Sequence, residues 1–161
     1  MHLSVLSPLL LLLLPMRLAA ADDPPPPPGM ALLYRANITV GLPVDVGPVP
    51  AGNITVHPVI GGEVNGQRLS GKVLALGADW GLSTPQGYLY SDMRAQFRTM
   101  DNVNIYVQMQ GIGEKSQGHI YVRTTFQTGH KDYSWLNTAY ALGTLKASST
   151  GFVVETWYLT T

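Results

Sequence analysis

The residues best suited to chemistry in this chain are arginines, tyrosines and a few carboxylates, spaced two apart in its middle. Asp92, Arg94, Gln96 and Arg98 alternate with Met93, Ala95 and Phe97. Asn104, Tyr106, Gln108 and Gln110 alternate with Ile105, Val107 and Met109, and His119, Tyr121, Arg123 and Thr125 alternate with Ile120, Val122 and Phe126. Such a set suits orientation and electrostatic stabilisation better than covalent catalysis. Arg94 and Arg123 each carry a planar fork of N–H donors, able to stabilise a carbonyl oxygen that gains negative charge in a transition state. Tyr106 and Tyr121 offer a phenolic donor or a face that stacks on a flat conjugated ring. Asp79, Asp92 and Gln108 are expected to contact a substrate, with Trp80 and Trp135 as broad apolar surfaces. A pericyclic reaction needs little proton transfer and gains from holding its partners in a reactive pose, a contribution of up to ~7–11 kcal/mol.

Other chemistries lack their residues. The chain has no GxSxG elbow, no GxxxxGK[ST] loop and no GxGxxG in a βαβ setting. It has no cysteine, which removes disulfides, zinc–thiolate sites and thiol nucleophiles. His57, His119 and His130 form no HxH or HxxxH pair, so no metal is expected, and no cofactor is expected either. Ten basic and ten acidic side chains cancel, which argues against nucleic acid or an anionic membrane as partner.

The elements that must position these residues read as strands. With 161 residues, 45% hydrophobic and 12% charged, the chain can pack one core, and 17 Gly with 12 Pro favour turns over long helices. The apolar period is near two, marking eight segments at about Ala31–Val40, Asn53–Val64, Arg68–Leu76, Gly87–Thr99, Val103–Gln110, His119–Gln127, Tyr140–Lys146 and Gly151–Thr160. Asn65-Gly66 suits a tight hairpin. Tyr133–Asn137 can make at most one short helical turn. Eight short strands without crossover helices predict an all-β, antiparallel closed barrel in a single domain, residues 31–161, with a two-sheet sandwich as the alternative.

The alternation itself has two readings. In the plainer one, the apolar set fills the interior and the polar set meets water, Arg94 pairing with Asp92 or Asp79. In the functional one, the polar set turns inwards to line a ligand cavity while the apolar set packs under loops or a partner subunit. A homodimer is therefore one expected assembly.

Residues 1–21 carry a short apolar core, Leu3–Leu14, followed by Ala19-Ala20-Ala21, the pattern of a cleaved signal peptide rather than an anchor. The chain is thus expected to be secreted or to stay in the secretory lumen, free of the membrane once the leader is removed. Residues 22–30 contain Pro24–Pro28 and read as an extended linker. Asn37-Ile38-Thr39 and Asn53-Ile54-Thr55 are glycosylation sequons. If both are occupied, Asn37 and Asn53 face solvent, sending Ala36, Ile38, Ile54 and Val56 inwards.

Several spaced motifs carry a family resemblance. Gly61-Gly62, Gly66, Leu69-x-Gly71-x-Val73-Leu74 and Gly77-Ala78-Asp79-Trp80 form one block. Asp92-x-Arg94 with Arg98-Thr99 forms the next. The last contains Tyr121-x-Arg123-Thr124, Phe126-x-Thr128-Gly129, Tyr133 and Trp135-Leu136-Asn137. In this order they resemble the small all-β family of unknown function DUF3237, across roughly Leu33 to Tyr158. The resemblance implies a calycin-like antiparallel barrel, similar in outline to allene oxide cyclase. It also implies site roles for Asp92, Arg94, Tyr106, Tyr121 and Arg123, and brings Asn137 into the substrate-binding set. Some secreted fungal relatives act as cyclases in natural-product pathways, including hetero-Diels–Alder joining of a quinone-methide-like diene to a terpene alkene. Gln127 departs from the family pattern, which has an acidic residue before Thr128-Gly129, and this removes a candidate general base.

The reading that follows is a secreted β-barrel that takes an apolar, oxygenated small molecule and promotes its cyclisation or cycloaddition in terpenoid or polyketide biosynthesis. The alternatives are a non-catalytic, lipocalin-like binding protein and a structural protein that uses its barrel surface.

Overall fold

A computed structural model describes residues 26–160, so the expected leader lies outside the described residues. Nine strands follow one another: β1 (Gly29–Val40), β2 (Val44–Val49), β3 (Gly52–Asn65), β4 (Gly71–Ser83), β5 (Tyr88–Thr99), β6 (Asn104–Glu114), β7 (Ile120–Gln127), β8 (Ala141–Ser148) and β9 (Gly151–Thr160). All neighbours are antiparallel in the order β1-β9-β8-β7-β6-β5-β4-β3-β2, and β1 also pairs with β3. This last pairing closes eight strands into a barrel and leaves β2 as a flap on β3, so the expected closed barrel stands and the sandwich does not. Closure removes the free edges an open sheet would expose.

The chain departs from expectation at four places. β2 is an additional strand, which Pro43, Gly47 and Pro48 hid from a pattern-based reading; it pairs Val44 with Val56 and Val49 with Gly52. β1 starts at Gly29, inside the span read as linker. A short helical segment, Lys131–Thr138, extends beyond the single turn expected there. Most consequentially, β4 continues past Leu76 to Ser83, so Asp79 and Trp80 sit within a strand and not beyond its end. A bulge between Val73 and Gly77 absorbs the extra residues against β5. Gly77 makes this possible: its φ is 115°, and a Cβ there would come 2.0 Å from the Arg94 carbonyl oxygen.

The plainer reading of the alternation holds along β5, β6 and β7. Met93, Ala95, Phe97, Ile105, Val107, Met109, Val122 and Phe126 are buried inside the barrel. Phe97 and Phe126 meet Tyr34 edge-on, with ring centroids 5.5 and 6.2 Å away. At one end the Lys131–Thr138 segment follows β7 and drives Leu136 into the core. The Asn137 side chain holds this segment by accepting from the Thr128 amide (2.9 Å) and donating to the Thr128 carbonyl (3.0 Å). Arg68 lies 3.7 Å from the centre of the Trp135 ring and donates to the Tyr158 hydroxyl at 2.9 Å, bracing the same end.

Within the core, the Tyr34 hydroxyl is buried beside the Thr156 hydroxyl without a well-formed hydrogen bond among the described residues; burial pushes the phenol well above its ordinary range, and the neighbouring Thr156 hydroxyl pulls it slightly back. An unmatched buried hydroxyl costs stability. Tyr34→Phe is therefore expected to raise the unfolding free energy by about 1 kcal/mol in a denaturant titration. A loss of similar size would mean that the hydroxyl has a partner.

Candidate functional site

The middle of the barrel is filled, and the end opposite the helical segment is open. There a cavity of about 390 Å³ lies between the start of β3, the end of β4, the start of β5 and the strands β7–β9. Its walls are largely apolar, with Leu89, Ile120, Leu145 and Phe152 among them, while Asn53, Lys115 and His119 sit around it as polar groups.

Three polar side chains reach into this apolar space. His57 and Asp79 are cross-strand partners on β3 and β4. Asp79 is only 4% exposed, and its Oδ1 accepts a hydrogen bond from the buried Ser91 hydroxyl on β5 at 2.7 Å. Burial is the largest influence on Asp79 and raises its carboxyl above the usual carboxylate range. The Ser91 hydrogen bond and the charge of nearby His57 pull the other way, and the negative charge of Asp92 adds to the rise. The His57 ring packs edge-on against Phe152 with centroids 5.6 Å apart, and its buried Nδ1 has no hydrogen-bond partner among the described residues.

Gly81 opens the space beside this pair. A Cβ built there would lie 3.6 Å from Asp79 Oδ2 and 3.8 Å from His57 Cε1, both ordinary contacts. With Oδ1 taken by Ser91, Oδ2 faces the volume that a Gly81 side chain would fill. Asp79 can thus offer Oδ2 to a polar atom of a ligand in low-dielectric surroundings, donating to a ligand oxygen when the carboxyl is protonated. Among the described residues no three His, Asp or Glu side chains converge as metal ligands.

Most residues expected at the site are elsewhere, for one reason: strand parity. Of that set, Asp79 alone lines the cavity. Arg94, Arg123, Tyr106 and Tyr121 were expected inside and lie on the outer face, where the polar half of each strand meets solvent. The Arg94 side chain is 50% exposed and pairs with Asp92 at 3.2 Å, and its guanidinium lies 5.7 Å from the Trp80 ring, also outside. Gln108 and Gln110 donate to Asp92 on the same outer face at 3.3 and 3.2 Å. Trp135 and Asn137 belong to the closed end, with the bracing contacts given above.

Asn37 points outward, with Ala36 and Ile38 buried, as the sequon predicts. Asn53 does not follow. It lines the rim of the cavity and donates to Asp45 at 3.2 Å, and it is Asn53, Thr55 and His57 that line the cavity rather than Ile54 and Val56. The inward polar run Asn53-x-Thr55-x-His57, facing Asp79-x-Gly81-x-Ser83, is the signal that sequence reasoning passed over. The sequon assigned Asn53 the opposite direction and hid it.

A UPF0311 protein of Rhodopseudomonas palustris strain TIE-1 is 30% identical over 132 residues, spanning 72% of this chain and 86% of that protein. The crystal structure of a conserved protein of unknown function from Rhodopseudomonas palustris superposes with a TM-score of 0.77 at 25% identity, covering 84% of this chain and all of that one. An enzyme from Penicillium herquei shares the fold, with a TM-score of 0.71 at 24% identity over 87% of this chain and all of that one. The family model for the protein of unknown function DUF3237 matches residues 28–159, nearly everything the barrel contains. The chain belongs to the DUF3237 family.

Proposed function

We propose that the open-end cavity binds an apolar, oxygenated small molecule and promotes its cyclisation or a (hetero-)Diels–Alder cycloaddition, by positioning and hydrogen-bond activation without a cofactor. The observation that carries this reading is the Asp79 carboxyl, buried against Ser91 and beside His57 in a largely apolar cavity. The walls hold the carbon skeleton in one folded pose. Asp79 Oδ2–H donates to a carbonyl oxygen whose negative charge grows as the new bonds form. His57, which lines the same cavity beside Asp79 and packs edge-on against Phe152, shapes the wall that fixes which way the carbonyl points.

The apolar walls also suit a second reading, a lipocalin-like carrier that releases its ligand unchanged. Incubation with reactive conjugated ketones and quinone-methide-type dienes separates the two. Acceleration of one stereoisomer over the uncatalysed product ratio supports the cyclase, whereas binding with an unchanged ratio leaves the carrier. The leader expected at residues 1–21 and the outward-facing Asn37 sequon support work in the secretory pathway, which mapping glycans on protein recovered from a culture medium tests.

Gly81→Leu offers an independent handle. The Gly81 backbone is not in the left-handed region, so a side chain is tolerated, yet it occupies the volume next to Asp79 and His57. Ligand affinity is expected to fall about tenfold or more, a steric cost of ~1.4 kcal/mol or above, with folding intact. Calorimetric titration of wild type and variant checks this, and equal affinities would move the ligand elsewhere.

A further inference from the structure

The residues that parity places outside form a pattern of their own, centred on β6. Along one cross-strand row stand Tyr90, Ile112 and Tyr121, and along the next stand Asp92, Gln110 and Arg123, from β5, β6 and β7 respectively. Tyr90, which also borders the open-end cavity, Ile112 and Tyr121 are 42%, 46% and 66% exposed, so an aromatic and aliphatic row is left facing water. Tyr121 is held by the edge of the His119 ring, 5.1 Å away between centroids. Arg123 makes no ion pair among the described residues. No lysine occurs on β5, β6 or β7, while tyrosine and arginine recur on all three outer faces taken together. Lysine-poor, tyrosine- and arginine-rich surface is the composition of a protein interface rather than of open surface.

We infer that this face is the contact surface of a homodimer, with the two-fold axis running along β6 between the two copies. Such an axis exchanges β5 with β7. Neighbouring strands are roughly 4.8 Å apart, so Asp92 and Arg123 flank β6 symmetrically. Asp92 of each copy then faces Arg123 of the other, and the two Gln110 amides meet donor to acceptor. In the next row Tyr90 faces Tyr121 of the second copy and Ile112 meets its own equivalent. An isologous interface requires this self-complementarity of a single patch, and it arises here in two successive rows. β1 lies diametrically opposite β6 in the barrel, so a glycan on Asn37 leaves the face clear.

Sedimentation velocity over a concentration series tests the dimer by charge reversal. Wild type is expected to sediment as a dimer. Asp92→Arg and Arg123→Asp each place like charges together twice and are expected to weaken dimerisation about 100-fold. The double reversal restores both pairs, and so does an equimolar mixture of the two single variants, which should form a heterodimer. Circular dichroism establishes that each variant is folded, and Ile112→Glu, which touches no charged pair, should also give a monomer. A wild-type monomer across the series, or single reversals that leave the dimer intact, would overturn the inference. A monomer that binds phospholipid vesicles through this face would assign it to a lipid surface and overturn it as well.

Discussion

Asp79→Ala is expected to slow product formation about 100- to 1,000-fold, the scale seen when one donor to a developing oxyanion is removed. The barrel should remain folded, because Asp79 lines a cavity at the open end and not the packed middle. Asp79→Asn keeps the shape and one N–H donor and is expected to lose less. The two variants also separate by pH. Activity that needs a neutral carboxyl is present below the folded-state pKa of Asp79 and falls as pH rises through it. Burial raises that pKa, so the decline lies above the ordinary Asp value of about 3.9. Asp79→Asn has no such proton to lose, and its activity should be flat across this window.

Stability follows the same linkage. The native state holds the Asp79 proton more tightly than the unfolded chain does, so this proton contributes fully below the unfolded value of about 3.9. The contribution is lost as pH rises through the raised folded value. Asp79→Asn should therefore gain stability relative to wild type as the pH is taken upward, which thermal unfolding at several pH values measures directly. A gap that does not change with pH would place Asp79 in an environment less buried than its 4% exposure indicates.

Phe97→Ala should cost about 3–5 kcal/mol of stability, the largest loss expected from any single truncation considered. Phe97 is 1% exposed and meets Tyr34 edge-on in the centre of the barrel, with Val73 as its cross-strand partner on β4. Truncation leaves a cavity in a middle section that stiff strands cannot readily collapse. Denaturant titration checks the magnitude, and a loss near that of an exposed substitution would mean that the interior is loosely packed.

These two positions also show what was legible in the sequence. Phe97 is readable: it alternates with polar residues in a strand that runs without bulges, so period two gives both its element and its direction. The same holds across β5, β6 and β7, which is why the barrel could be anticipated. Asp79 is half readable. Its type and its place before Trp80 marked it, but the bulge between Val73 and Gly77 interrupts the pattern, and the segment looked like a turn. His57, Ser91 and Gly81 were missed because each is unremarkable alone, and they become a site only through the register of three strands. The direction of Arg94 and Arg123 was a matter of parity, and chemical aptness pointed opposite to solvation. In a barrel this narrow the apolar side chains win the middle, which admits the hydroxyls of Tyr34, Thr124 and Thr156 but takes a carboxyl only where the end opens.

The most direct measurement is an NMR titration of the Asp79 side-chain carboxyl carbon, with and without an inert conjugated ketone. A midpoint above the usual carboxylate range is expected, together with a ketone-induced shift of the Asp79 and Phe152 signals that Gly81→Leu abolishes. A midpoint within or below that range, with no response at either residue, would contradict the proposal that a neutral acid waits in an apolar cavity for a ligand oxygen.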